Sequence, residues 1–251
     1  MFLDQNGAGC NSGKGTKKPN HGSTKPADRA NSSTQLNLTS NNPPCRPKSF
    51  TVQDDEPPLI PVNQQTVYHE NGGADFTVTR VTVQNIATEE LFPVHYASVK
   101  SGHTGAVCVA HLDGNQRLLL ARHWRVTTRS WAWEFPRGMG EHGEDPVMTA
   151  MREFSEETGM ATKPDSGIVL QYMHADTGVL KDSIAVVSLA VDASADSLGS
   201  DTDGHHEHDW ELSNMRWVSA DNITAMIAQG AINDGITLAA YAVWKAHEGK
   251  E

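Results

Sequence analysis

The segment from Gly138 to Met160, GMGEHGEDPVMTAMREFSEETGM, constrains the fold of this chain more than any other. Asp145-Pro146 offers an N-cap followed by a proline at the first helical position, and Gly159 offers the stop. Between them Val147, Met151 and Phe154 recur at spacings of four and three, so the helix has an apolar side that must be buried. Glu153, Glu156 and Glu157 stand at i, i+3 and i+4 and share another face. Like charges at that spacing cost a helix roughly 0.2–0.5 kcal/mol per pair and raise one another's pKa. A bound divalent cation removes the penalty. Mg²⁺ takes carboxylate oxygens and shares its shell with phosphates, and Mn²⁺ accepts the same donors. Arg152 can pair with Glu156 one turn on or reach back to Glu144, orienting a carboxylate either way. Gly138, Gly140 and Gly143 permit a tight loop whose backbone can approach a metal or phosphate closely.

The rest of the chain supplies strands for this helix to pack on. Phe76 to Val83 alternates apolar and β-branched residues, while Thr104–Leu112 and Arg117–Arg122 flank Asp113-Gly114-Asn115, which reads as a hairpin turn. Trp131–Pro136, Ile168–Met173, Ser183–Val191 and Met215–Val218 are further strands. Ser219 or Asp221 can cap a helix ending near Gly230, and Asp234 opens a last helix running towards His247. The result is a mixed α/β or α+β domain with helices on the sheet faces. From Met1 to about Val62 neither a strand nor a helix period is visible, and prolines punctuate the end, so residues 1–62 are expected to be a disordered tail or linker.

Charge divides the chain in the same place. Residues 1–50 hold seven Lys or Arg against Asp4 and Asp28, a charge of +5; with −11 on the whole, residues 51–251 carry −16. So acidic a body argues against a nucleic-acid groove, which needs a continuous basic stripe. Cys10, Cys45 and Cys108 have unrelated spacings and indicate neither a disulfide framework nor a zinc site. No secretory signal or long apolar run is apparent, which makes a cytoplasmic protein without membrane contact the expectation.

The residues from Gly138 onward resemble the Nudix box, G-x5-E-x7-R-E-U-x-E-E-x-G-U with U a bulky apolar residue. Gly138, Glu144, Arg152, Glu153, Glu156, Glu157 and Gly159 fall on its fixed positions, Met160 fits, and Phe154 replaces the usual aliphatic residue. An isolated Glu-Glu pair is ordinarily a solvated helix face, but seven matches at fixed spacing arise by chance roughly once in a million. The resemblance implies the Nudix α/β/α sandwich with a mixed sheet over residues of about 75 to 251. It also implies ligands. Glu153 and Glu157 would bind Mg²⁺ or Mn²⁺, Glu156 would bind a further ion or position water, and the Arg137 main-chain carbonyl would join them, with Glu144 and Arg152 in support. A catalytic base would come from the acidic loop DTDGHHEHDWE, where Glu207 and Glu211 are the candidates; His205, His206 and His208 read as surface residues.

The flanking run RHWRVTTRSWAWEFPRG resembles the branch of the family that cleaves ADP-ribose and other nucleoside diphosphate sugars. Arg125 would contact phosphate or ribose, Glu134 and Gly138 of the E-x-P-x-G segment would line the substrate, and Trp131 or Trp133 could stack on adenine, against the alternative that they pack the core. Ala175, Asp176 and Thr177 stand where that branch often carries a proline, and Asp176-Thr177-Gly178 could be a turn lining the site. Members of the branch are commonly dimers that exchange early strands, which raises a homodimer exchanging Phe76–Val83 as an expectation. Two readings stay open. One is an enzyme acting on a small nucleotide, with ADP-ribose ahead of NADH, dinucleoside polyphosphates or nucleoside triphosphates; the other is a catalytically weak ligand-sensing module.

Overall fold

The computed structural model describes residues 56–112, 117–192 and 212–248. The tail up to residue 55, the Asp113-Gly114-Asn115 turn and the acidic loop with Glu207, Glu211 and its three histidines lie outside the described residues.

Among the described residues ten strands and three α-helices follow in order: β1 (Leu59–Glu70), β2 (Phe76–Asn85), β3 (Leu91–Ser98), β4 (Gly105–Leu112), β5 (Arg117–Arg125), β6 (Ser130–Glu134), β7 (Arg137–Gly138), α1 (Pro146–Thr158), β8 (Ile168–Met173), β9 (Ile184–Val191), β10 (Leu212–Ser219), α2 (Ala220–Ala228) and α3 (Gly235–His247). The larger sheet runs β10-β5-β4-β9-β8, with β6 added to β5 and β7 to β4. It is mixed, because β4 and β9 pair in parallel from Gly105↔Ile184 to Leu112↔Val191 while its other pairs are antiparallel.

Period-2 alternation sends the two sets of β4 side chains to opposite layers. Ala106, Cys108, Ala110 and Leu112 join Ala150 and Phe154 of α1 on one face. Val107 and Val109 join Ile223 of α2 and Ala240, Tyr241 and Trp244 of α3 on the other. The helices therefore sandwich the sheet. Three of the four β4 residues beneath α1 are small, which lets that helix sit close, and the Cys108 thiol donates to the Ala150 carbonyl at 3.2 Å. No helix among the described residues is long and apolar enough to cross a membrane.

Helix boundaries follow the capping residues. Asp145 accepts from the Val147 and Met148 amides, and Gly159 closes α1 in the left-handed region at φ 68°. Of the two candidates for α2, Ser219 is the cap and Asp221 lies in the first turn. Asp234 caps α3 as expected, accepting from Thr237.

The smaller sheet, β1-β2-β3, revises the expected boundary. β1 begins at Leu59, inside the segment read as linker up to Val62, and β3 was not apparent as a strand at all. Both are edge strands carrying a proline, and edges tolerate the missing donor. All twelve residues of β1 are exposed, so burial imposes no alternation on it, and register shifts next to Asn63 and Tyr68 blur the period further. β3 is tied to the loop before β9: Ser98 Oγ donates to Asp182 at 2.5 Å and the Val99 amide at 2.7 Å.

Phe154 is completely buried between α1 and the sheet. Phe154→Ala is expected to lower stability by about 3–5 kcal/mol, read as a reduced denaturant midpoint at unchanged slope; a loss under about 1 kcal/mol would show that α1 is not clamped through this ring.

Candidate active site

One guanidinium braces the acidic face of α1. Arg152 gives Nε to Glu144 Oε1 at 2.8 Å and Nη2 to Glu144 Oε2 at 3.0 Å, a two-pronged pair. Its Nη1 reaches Glu153 at 2.8 Å and Glu156 at 3.1 Å, and Nη2 also holds the Met139 carbonyl at 3.0 Å. Both pairings open in the sequence are thus made together, and the Gly138–Glu144 loop is fastened to the helix. Glu144 also accepts from Thr149 Oγ1 and from the Glu141 amide. The Arg152 hydrogen bonds hold the Glu144 carboxyl down at about 2.

Glu153 and Glu157, one turn apart, converge on β7. The Glu153 carboxylate lies against Gly138 so closely that a Cβ there would stand 1.9–2.2 Å from its atoms. The Arg137 amide donates to Glu157 Oε2 at 3.2 Å. Burial pushes the Glu153 carboxyl up, against the opposing pull of Arg152. The Cys108 thiol beneath is pushed up by burial first, with Glu157 and Glu153 adding to it. Glu156 points outward, its side chain 61% exposed.

Beside β7 lies a cavity of about 320 Å³, lined by His103, Arg125, Arg137, Met139, Asp182 and Ile236 among others. Its charged wall rests on Glu134, whose side chain is only 1% exposed. Arg125 grips both Glu134 oxygens, with Nε at 3.0 and 3.2 Å and Nη2 at 2.5 Å. Arg137 Nη2 adds a contact to Glu134 at 2.8 Å and another to Asp234 at 3.3 Å. The Glu134 hydrogen bonds raise the Arg125 pKa. The Arg137 Nη1 atom is buried and has no hydrogen-bond partner among the described residues.

The NUDIX domain model matches residues 102–240, which include α1, β7 and most of the cavity lining. The chain belongs to the Nudix family. Over 55 residues it is 42% identical to a CMP-5'-(N-acetyl-N-hydroxy-3-aminopropyl)phosphonate hydrolase of Streptomyces rubellomurinus, covering 22% of this chain and 27% of that protein. Over 70 residues it is 34% identical to an ADP-ribose pyrophosphatase of Bacillus subtilis, covering 28% of this chain and 38% of that one. The chain therefore spans well under half the length of these curated relatives. A solved ADP compounds hydrolase shares the fold at TM-score 0.57 and 16% identity, over 79% of this chain and the whole of that one.

Within this Nudix domain the structure brings Arg125, Arg137 and Gly138 to the cavity, with Glu134 bonded to both arginines and with Glu153 and Glu157 against Gly138 and the Arg137 amide. It separates Trp133, which is not among the cavity-lining residues and stacks between Arg122 and Arg216. Glu134 is present but lies under the arginines, so it orients them and does not itself face the space. Asp176-Thr177-Gly178 is a turn as expected, its Asp176 carboxylate accepting from the Gly178 amide at 2.8 Å, and Ala175 and Leu180 on either side line the cavity. Sequence reasoning missed the Arg137 side chain and Asp234. The first was singled out only for its carbonyl; the second was legible as a cap, and nothing local reveals that it meets a residue 97 positions away.

The Glu144–Arg152 pair makes stability depend on acid. A carboxyl held at about 2 in the fold and at its ordinary 4.5 when unfolded contributes stability that is full above 4.5 and is lost as pH falls towards 2. Glu144→Gln removes that contribution. In unfolding curves at several pH values, wild type is expected to exceed the variant at pH 6 and to converge on it by about pH 2; a gap independent of pH would mean that Glu144 acts by shape alone.

Proposed function

We propose that this chain hydrolyses the diphosphate bond of a nucleoside diphosphate linked to a second moiety, with ADP-ribose, giving AMP and ribose 5-phosphate, as its substrate. One observation carries the reading: two helix carboxylates and two fixed guanidiniums are brought to the same dipeptide, Arg137-Gly138. A diphosphate needs both, cationic donors for its oxygens and a carboxylate set beside them. Likeness to the Bacillus subtilis ADP-ribose pyrophosphatase supports the choice of substrate.

The carboxylates fit a hard divalent cation. Their donors are all oxygen, one of them is half-buried without a full counter-charge, and glycine at 138 leaves the space its carboxylate occupies. Glu153 and Glu157 would hold Mg²⁺ or Mn²⁺, with Glu156 and the Arg137 carbonyl as further ligands. When bound, the ion supplies neutralisation of the diphosphate and a more acidic water. The protein's own part is orientation and charge. Glu134 fixes Arg125 and Arg137 before substrate arrives, so little is lost in ordering them. Arg137 Nη1 offers an unused donor to a diphosphate oxygen. Water adds to one phosphorus, the bond from that phosphorus to the bridging oxygen breaks, and the water's proton passes to a carboxylate, either Glu156 or the acidic-loop Glu207 or Glu211.

Phosphate release in a coupled phosphatase assay tests this across ADP-ribose, other nucleotide sugars, NADH, dinucleoside polyphosphates and nucleoside triphosphates. ADP-ribose is expected to lead, only with Mg²⁺ or Mn²⁺, and Glu157→Gln to reduce its turnover roughly 100-fold or more. Full activity in that variant would sink the reading, and ligand binding without turnover across the panel would replace it with a sensing role.

A homodimer through the smaller sheet belongs to the same proposal. Leu59, Ile60, Val62, Val67, Tyr68, Leu91 and Val94 are all exposed on it, an apolar surface that a second copy would cover. Sedimentation velocity is expected to give a dimer that Val62→Asp with Val67→Asp converts to monomer; a wild-type monomer at high concentration would refute it.

A further inference from the structure

Trp133 does not line the active-site cavity, and its surroundings on the α2 side of the larger sheet form a second arrangement of arginine and aromatic groups. Cross-strand pairing sets Arg122 opposite Trp133 and Trp124 opposite Trp131, and Arg216 joins from β10 opposite Leu120. These side chains share the face that carries Leu118 and Leu120 towards α2 and α3. The Arg122 guanidinium lies 5.7 Å from the Trp131 ring centre and 5.8 Å from that of Trp133, and Arg216 lies 5.7 Å from Trp133. Neither arginine has a carboxylate partner among the described residues. Arg122 Nε is moreover buried with no hydrogen-bond acceptor. Beside them, between β10 and α2, opens a cavity of about 480 Å³ lined by Trp133, Arg216, Val218, Asn222, Met226 and Gln229 and by no residue of the first cavity.

We propose that this second cavity is a binding site for a nucleoside phosphate, separate from the active site. Two stacked cations, without a carboxylate partner among the described residues, on a body of net charge −16 are the local positive feature an anion would find. Guanidinium donors match phosphate oxygens in pairs, and stacking on Trp133 holds them in a fixed plane. Val218 and Met226 present apolar surface to a base or sugar. The amides of Asn222 and Gln229 each offer a donor and an acceptor, the combination a nucleobase edge requires. Inorganic phosphate would use only the arginines.

Isothermal titration of the full chain in EDTA with AMP, and separately with inorganic phosphate, tests the site without turnover. Wild type is expected to bind AMP at least tenfold more tightly than phosphate. Arg216→Ala should weaken AMP at least tenfold and Arg216→Lys less; Gln229→Ala should weaken AMP but not phosphate; Arg125→Ala should leave this binding unchanged. Arg216 and Gln229 are exposed, so their variants fold. The proposal is overturned by absence of AMP binding, by wild-type affinity in Arg216→Ala, by loss of binding in Arg125→Ala, which would locate AMP in the active-site cavity, or by equal affinity for phosphate and AMP.

Discussion

Arg152 is the interaction on which the arrangement of this domain turns. Three glutamates on one helix face repel, and a short loop of glycines has little reason to adopt one conformation. One guanidinium answers both problems, since its donors reach Glu144, Glu153, Glu156 and the Met139 carbonyl at once. A lysine has the charge but not the planar fork, and could not hold the loop and the helix in the same plane. Glu153 and Glu157 are then free to be directed at β7 and not at water. The small β4 side chains under α1 make the approach close enough for this to happen.

Strand alternation then divides the chemistry between two faces. On β6, Trp133 and Glu134 are neighbours in sequence and point to opposite sides of the sheet, one to Arg122 and Arg216, the other to Arg125 and Arg137. An aromatic and an acid that look like parts of one site in the sequence are therefore parts of two. A one-residue change of register in β6 would exchange them, which the ladder from Ala121↔Glu134 to Arg125↔Ser130 prevents.

What could be read from the sequence was what repeats or caps locally. The α1 helix from Asp145 to Gly159 was legible to the residue because both ends are chemically marked and its apolar spacing is regular. The buried strands β4 and β9 were legible as apolar runs, and the carboxylate set through its fixed spacing. β1 and β3 were not, because each is an edge with a proline and, in β1, no buried face to impose a pattern. The side-chain role of Arg137 was hidden for another reason: its partners Glu134 and Asp234 are brought to it by β6 and α3 independently, and no spacing encodes that meeting.

That meeting sets what the cavity can accept. A carboxylate buried as deeply as Glu134 is costly to keep unless it is paired. Two arginines from different strands supply the counter-charge to Glu134, and it in turn stops their mutual repulsion from splaying them. Glu134, Arg125, Arg137 and Asp234 together carry no net formal charge, yet the cations face the cavity while Glu134 sits behind. An anion entering the space meets directed donors without having to order them, and Arg137 Nη1 already lies buried without an acceptor among the described residues.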